Sequence, residues 1–362
     1  MPARSRSLAL VRWSLVAVHG ALAVTLVANT LYLRRQRRAP LGPRAPRVSV
    51  LIPARNEARN LPRLLASLWA QTYPDFEVIV YDDGSTDATT DVLAADRDSR
   101  LVRLRGEGPP PGWVGKVHAL YQATRVATGD VFLFLDADAE LAHPGALLAL
   151  AERHAALPEP SVLTGIPDLG PSGGKLLVGL VAHSILVGLP WWAPRRLRTR
   201  SLGAINGQVW MIGAAVYRQY EPHLNHRDRV LEDVEIGRSL RAAGVVPVLA
   251  ELRHDVRVWM YADLGEAWGG FRKNAYLILG GTPRAFAAIL PFYVATFVLA
   301  PLASPWLLGS LVAMRAWTDR LCGLPPWHAL YAPVSYAASV ALALDSARAH
   351  LRGRVRWKGR AV

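Results

Sequence analysis

Between about residues 47 and 261 the sequence alternates short runs of β-branched and aromatic residues with stretches of helical periodicity, and this alternation restricts the fold more than any other feature. Residues 48–52 read as a strand ended by Pro53, 61–69 as a helix, 76–81 as a strand and 87–95 as a helix. A short strand at 101–104, a helix at 117–127 and a strand at 131–135 follow. Strand and helix in turn predict a mostly parallel sheet covered by helices on both faces. In such sheets ligands bind beyond the carboxyl ends of the strands. The chemistry is therefore expected in the residues that follow each strand.

Acids stand there. The strand at 76–81 runs into Asp82, Asp83, Gly84, Ser85, Thr86 and Asp87. Gly84 permits a sharp turn, and Ser85 or Thr86 can cap the next helix while a carboxylate at the strand tip faces a ligand. An ordinary acidic turn would read the same way. The strand at 131–135 delivers Asp136, Ala137 and Asp138. Two acids at i and i+2 after an apolar strand suit a hard divalent cation that also takes diphosphate oxygens, although a solvated turn shows the same pattern. Lys116 follows a stiff loop, Pro109 to Gly115, and leads into a helix, where backbone N–H groups and one ammonium would cradle a diphosphate. The spacing is not that of a Walker A loop. Glu232, Asp233 and Glu235 open a helix that Gly244 terminates, and taken alone they only complement its dipole.

Apolar runs flank this region. Residues 8–33 are almost continuously apolar, interrupted by Arg12, His19 and Asn29, and as a helix would cross a hydrocarbon core of about 30 Å. The run is too long for a signal peptide core and ends in Arg34, Arg35, Arg37 and Arg38, so an uncleaved anchor is expected. Residues 285–311 and 327–344 are expected to form two further spans, with a basic tail over 348–362. A fourth apolar stretch, 176–192, ends in Trp191 and Trp192 and reads as a helix at the membrane interface or as a core helix.

The net charge of +14 over 362 residues, 51% of them hydrophobic, fits this layout. Arg4, Arg6, Arg12, the 34–38 arginines, Arg195, Arg196, Arg198, Arg200 and the six basic residues from Arg348 to Arg360 hold most of the excess. Their places beside apolar runs imply a bilayer surface and not nucleic acid, and the positive-inside rule puts the intervening domain in the cytoplasm of a multi-pass inner or plasma membrane protein. The single cysteine, Cys322, excludes an intrachain disulfide framework.

In order and spacing, the segment Val48 to Glu57, the acidic run from Asp82 to Asp87, Gly115-Lys116, Asp136-Ala137-Asp138 and Glu232-Asp233 resemble glycosyltransferase family 2, over about residues 47–280. The segments Gly112 to Lys116 and Gly270 to Asn274, with the flanking spans, look most like its membrane-bound members that glycosylate carotenoids and other polyisoprenoid-derived lipids. The resemblance implies an α/β fold of the Rossmann-like GT-A type with about three transmembrane helices, and a hexosyltransferase that inverts the anomeric carbon. It implies a nucleotide-sugar donor, Mg²⁺ or Mn²⁺ as cofactor, and a hydroxyl or carboxyl of a membrane lipid as acceptor.

Carried over by position, Asp83 would bind the nucleotide base or ribose, with Pro53, Arg55 and Glu57 completing the nucleotide pocket. Asp136 would lie near the ribose or donor sugar, Asp138 would ligate the metal, and Lys116 would assist on the phosphates. Asp233 would be the general base. Asn206, Glu232, Arg272 and Lys273 are candidate acceptor contacts, with loop and headgroup-anchor roles as the alternatives for Asn206 and for Arg272 and Lys273. The chain departs from the family pattern where many members carry Gln-x-x-Arg-Trp, since Trp268 to Asn274 stand there. This favours a single transfer over a processive polysaccharide synthase. A nucleotidyltransferase would need a glycine-rich signature where Pro53, Ala54, Arg55 and Asn56 stand.

Overall fold

The structure, a computed structural model, describes residues 3–36, 45–194, 197 and 199–361. Arg37, Arg38, Arg195, Arg196 and Arg198, counted among the basic clusters above, lie outside those residues. The chain divides into an α/β unit, Leu33–Pro171 with Trp191–Met260, and a helical unit, Met1–Tyr32 with Ser172–Pro190 and Tyr261–Val362. The domain expected over 47–280 therefore gives up 172–190 and 261–280 to the helical unit.

The α/β unit contains β1 (Val48–Ala54), β2 (Phe76–Asp83), β3 (Leu101–Gly106), β4 (Val131–Leu135), β5 (Ala139–Leu141), β6 (Ser161–Ile166), β7 (Val209–Gly213), β8 (Val246–Glu251) and β9 (Val256–Val258). Seven of them form one sheet in the order β3-β2-β1-β4-β7-β6-β8. β7 is antiparallel to both its neighbours, and the remaining pairs are parallel. β5 and β9 pair separately. All residues of β2 and β4 are buried, as expected of strands covered on both faces. The core between sheet and helices contains Leu51, Ile79, Phe132, Phe134, Trp210, Ile212, Ile236 and Leu240. The helix Leu61–Trp69 buries Leu61, Leu64, Leu65 and Leu68, one face at helical spacing, with a proline tolerated in its first turn.

Two strands run further than the sequence suggests. β1 continues through Pro53, which pairs in register with Tyr81 near the strand end, where a missing N–H is tolerated. β2 includes Asp82 and Asp83, because β3 extends to meet them at Arg105 and Gly106.

One polar cluster inside the sheet sets the alignment of β1, β2 and β4. Ser49 Oγ donates to Glu77 Oε1 at 2.6 Å, and the Thr128 N–H and hydroxyl donate to the same oxygen at 2.7 and 2.9 Å. The Gly129 N–H donates to Ser49 Oγ at 2.9 Å, and a Cβ on Gly129 would stand 2.6 Å from that oxygen and 2.7 Å from the Ser49 nitrogen. Only glycine allows this approach.

In the helical unit two of the polar interruptions of the first apolar run find partners in other segments. The helix Ala3–Arg34 presents His19 Nε2 to the Thr296 carbonyl at 2.9 Å, and Asn29 Nδ2 donates to the carbonyls of Leu186 and Leu189, both at 2.7 Å. The 176–192 stretch forms the helix Lys175–Gly188 and buries Leu177, Val178, Ala182 and Leu186. The span expected at 285–311 is interrupted at Ser304, whose backbone is extended. The helix Pro305–Leu321 then carries Arg315 Nε 2.7 Å from Asp319 Oδ1, both fully buried, in the stretch between the two expected spans. The i,i+4 spacing lets the two charges neutralise each other inside the unit. The last expected span begins as a 3₁₀ turn, Pro326–Tyr331, and continues as the helix Ala332–Leu351. Of the three expected spans, two have helices long and apolar enough to cross a membrane among the described residues, Leu10–Arg34 and Pro283–Ala303.

Glu77 is accessible to a test. Burial would raise its pKa, but hydrogen bonds from Ser49 and Thr128 and the nearby Arg47 hold it below the ordinary glutamate value. The resulting stabilisation is fully present above the unfolded pKa of about 4.3 and is lost as pH falls through the lower folded value. Glu77→Ala removes the acceptor of three hydrogen bonds, that of the buried Ser49 hydroxyl among them, and is expected to cost about 2 kcal/mol at pH 7. Urea unfolding of wild type and of Glu77→Gln between pH 3 and 7 should show a shallower pH dependence in the variant; identical slopes would remove Glu77 from this role.

Candidate active site

The parallel register carries the ends of β1, β2 and β4 to one edge of the sheet, and the site is assembled there. At the tip of β2 the two aspartates have separate tasks. Asp82 Oδ1 accepts the Ser85 N–H at 2.9 Å and Oδ2 accepts the Thr90 hydroxyl at 2.7 Å, so Asp82 holds the turn. Asp83, 3% exposed, lies beside an aromatic group. The rings of Tyr81 and His118 meet edge-to-face at 5.7 Å, and Trp113 adds contacts to His118 at 5.5 Å and Tyr121 at 5.3 Å. Burial raises the Tyr81 phenol, and the Asp83 charge adds to it. Burial likewise lowers the His118 imidazole, with Asp83 opposing. Trp113 was expected only as part of a phosphate loop, and His118 and Tyr121 are visible in the sequence merely as one face of a helix.

The loop after β1 is locked onto the turn after β2. Arg55 Nη1 donates to the carbonyls of Asp83 at 2.8 Å and Gly84 at 3.1 Å. Asn56, at φ 52°, donates its N–H to Ser85 Oγ and accepts the Thr86 N–H on Oδ1. The Glu57 N–H donates to Thr89 Oγ1 at 2.7 Å, and Glu57 Oε2 accepts from Asn60. Ser85 and Thr86 thus tie the two loops together instead of capping a helix. That helix begins later, at Thr89, with Asp87 accepting its N–H at 3.0 Å. Burial would raise Asp87, but these hydrogen bonds hold it below the ordinary value. Pro53 is half-buried at the end of β1.

β7 explains how distant residues join the edge. Being antiparallel to β4, it places Val209 opposite Leu135, so the preceding loop Asn206-Gly207-Gln208 starts beside the tip of β4. The Asp136 N–H donates to the Gln208 carbonyl at 3.2 Å. Asn206 is occupied with its own surroundings: its N–H donates to Thr164 Oγ1 at 2.8 Å and its side-chain amide to the Gly165 carbonyl at 2.9 Å. Thr164 is a support that sequence patterning did not single out.

Lys116, in the first turn of the helix Gly115–Val126, reaches this loop. Its Nζ is 2.6 Å from Asp136 Oδ1 and 3.4 Å from Glu232 Oε1, and donates to the Gly207 carbonyl at 3.3 Å. Burial alone would lower the Lys116 pKa; the carboxylates of Asp136, Glu232 and Asp233 outweigh it and hold the ammonium above the ordinary lysine value. Glu232 and Asp233 open the helix Glu232–Ala242, where the dipole favours negative charge. Asp233 Oδ2 accepts the Gly207 N–H at 3.0 Å and Oδ1 accepts the Val234 N–H at 2.8 Å.

Asp138 lies between β4 and β5, its carbonyl accepting the Trp259 N–H at 2.9 Å. Arg63 stacks over Trp259 at 4.1 Å; burial lowers its guanidinium, with Glu140 and Asp138 opposing. Among the described residues no group of three or more His, Cys, Asp or Glu side chains is placed to hold a metal by itself. The available donors are carboxylate oxygens, which fit a hard divalent cation that completes its shell with diphosphate oxygens and water. Arg272 and Lys273 belong to the helical unit. There Arg272 Nε is 3.1 Å from Asp345 Oδ2, which also accepts the Trp268 indole N–H, and Lys273 Nζ sits 4.4 Å over the Trp357 ring.

Three comparisons bear on this arrangement. The model of glycosyl transferase family 2 matches residues 49–176. The 4,4'-diaponeurosporenoate glycosyltransferase of Staphylococcus haemolyticus is 35% identical over 130 residues, 36% of this chain and 34% of that protein. A PGL/p-HBAD biosynthesis glycosyltransferase of Mycobacterium tuberculosis is 36% identical over 110 residues, 30% of this chain and 41% of its own length. The chain thus covers between a third and two fifths of these relatives. The mannosyltransferase PcManGT of Pyrobaculum calidifontis, solved with GDP-Man and Mn²⁺, overlays with a TM-score of 0.60 at 20% identity, covering 94% of this chain and 98% of that one. The mixed, mostly parallel sheet is therefore GT-A-like, and the segment that matches glycosyl transferase family 2, residues 49–176, carries Asp83, Lys116, Asp136 and Asp138.

Proposed function

We propose that the protein is an inverting glycosyltransferase that moves one sugar from a nucleotide-sugar donor to a hydroxyl or carboxyl of a membrane lipid. The observation that carries this reading is Asp233. Its carboxylate is held by the Gly207 and Val234 N–H groups, in the same group of contacts as Asp136 at the tip of β4. A fixed carboxylate at a helix start is suited to accept a proton from an incoming hydroxyl. As that oxygen bonds to the anomeric carbon, the bond to the diphosphate breaks on the opposite face and the configuration inverts.

Asp83 and its aromatic neighbours would receive the base and ribose, with Arg55 and Glu57 acting through the loops they hold together. Asp138 would hold Mg²⁺ or Mn²⁺, which when bound neutralises charge on the leaving diphosphate. The lipid acceptor is supported by the two helices long and apolar enough to cross a bilayer and by the relatives' names. Arg34 and Arg35, at the end of the first of these helices, favour a cell-membrane protein with its α/β unit on the cytoplasmic side.

In full-length protein in detergent, Asp233→Asn is expected to lower nucleoside diphosphate release from the active UDP- or GDP-sugar by about 10²- to 10⁴-fold. Binding of UDP or GDP with Mn²⁺ should persist, and full transfer by the variant would remove Asp233 as the base. Asp138→Asn should instead abolish the tightening of nucleotide binding by Mn²⁺, read by calorimetry. Lipid extracts from cells with and without the protein should differ by a species heavier by one sugar unit; extracts with no such difference would count against the lipid acceptor.

A further inference from the structure

The ammonium of Lys116 is already committed to protein oxygens. Asp136 Oδ1 and the Gly207 carbonyl lie 2.6 and 3.3 Å from Nζ and accept from it, and Glu232 Oε1 completes the group as an ion pair at 3.4 Å. These acceptors come from three elements: the end of β4, the loop before β7, and the first turn of Glu232–Ala242. Gly207 is the shared point. Its carbonyl accepts from Lys116, and its N–H donates to Asp233 Oδ2 at 3.0 Å. The fit is close, since a Cβ on Gly207 would stand 3.0 Å from Asp233 Oδ2 and 3.2 Å from Asp233 Cβ.

We infer that Lys116 is a positioning residue for Asp233, clamping the 206–208 loop and the start of the helix to the tip of β4, and is not a ligand of the donor diphosphate. The inference rests on Asp233 being the base, as proposed above. Without the ammonium, Asp136 and Glu232 would repel each other and the Gly207 carbonyl would lose its donor. The loop could then drift, carrying the N–H that orients Asp233. A displacement of about 1 Å at a reacting group can cost on the order of 10²-fold in rate.

Lys116→Met and Gly207→Ala should give one signature in the full-length protein. UDP or GDP binding with Mn²⁺ stays within about twofold of wild type, while kcat for nucleoside diphosphate release falls by about 10- to 100-fold at unchanged donor KM. Hydrogen exchange over 203–211 becomes faster in Lys116→Met, and Lys116→Arg, which keeps the charge, recovers part of the rate. A tenfold or greater loss of nucleotide affinity in Lys116→Met, with exchange over 203–211 as in wild type, would make Lys116 a diphosphate ligand and overturn the inference. Should Lys116→Met fail to fold, Lys116→Arg and Gly207→Ala carry the same comparison. If wild type releases no nucleoside diphosphate from any sugar donor, the transferase reading fails, and hydrogen exchange alone still decides whether Lys116 holds the loop.

Discussion

β1 stands at the centre of the parallel half of the sheet, and its alignment with β2 on one side and β4 on the other governs everything at the carboxyl edge. The alignment is set at the opposite end, where the buried Ser49 and Glu77 share one hydrogen-bonded cluster with Thr128 and Gly129. A strand slipped by one residue would turn every side chain to the other face. Asp83 and Asp136 would then no longer occupy the same edge. A polar cluster within otherwise apolar strands is costly to bury unless fully paired, so it also opposes alternative registers.

The site itself depends on the one strand that runs the other way. In a wholly parallel sheet, the strand beside β4 would end where β4 ends, and the loop preceding it would lie at the far side. Because β7 is reversed, the Asn206-Gly207-Gln208 loop reaches the tip of β4, where it meets Lys116 and Asp136. Gly207 then links Lys116 to Asp233, residues separated by more than a hundred positions in the chain. The acids are thereby divided by environment. Asp82 and Asp87 are consumed by turns, Asp136 and Glu232 by Lys116, and Asp233 is oriented by two N–H groups.

Much of the α/β unit was legible from periodicity. The helix Leu61–Trp69 and the strand Val131–Leu135 fall where the apolar spacing puts them, because spacing alone decides which face a local element buries. The ends were less legible. β2 runs on through Asp82 and Asp83 because β3 continues to pair with them, a fact about a neighbouring strand. The helix Pro305–Leu321 was hidden by Arg315 and Asp319, whose charges look incompatible with burial until they are seen facing each other one turn apart. Arg55, expected in the nucleotide pocket, holds two backbone carbonyls, a task that no side-chain pattern records.

The sequence by itself determined the class of sheet, the acids at its strand ends and the apolar helices before and after it in the chain, since each follows from local spacing and residue chemistry. Which of those acids hold turns, which pair with Lys116 and which is fixed by backbone N–H groups was decided only by tertiary structure. A carboxylate's role depends on the donors packed against it, and here those donors come from Gly207 and Lys116, on elements remote in the chain or brought there by an antiparallel strand, and from Thr90 on the following helix.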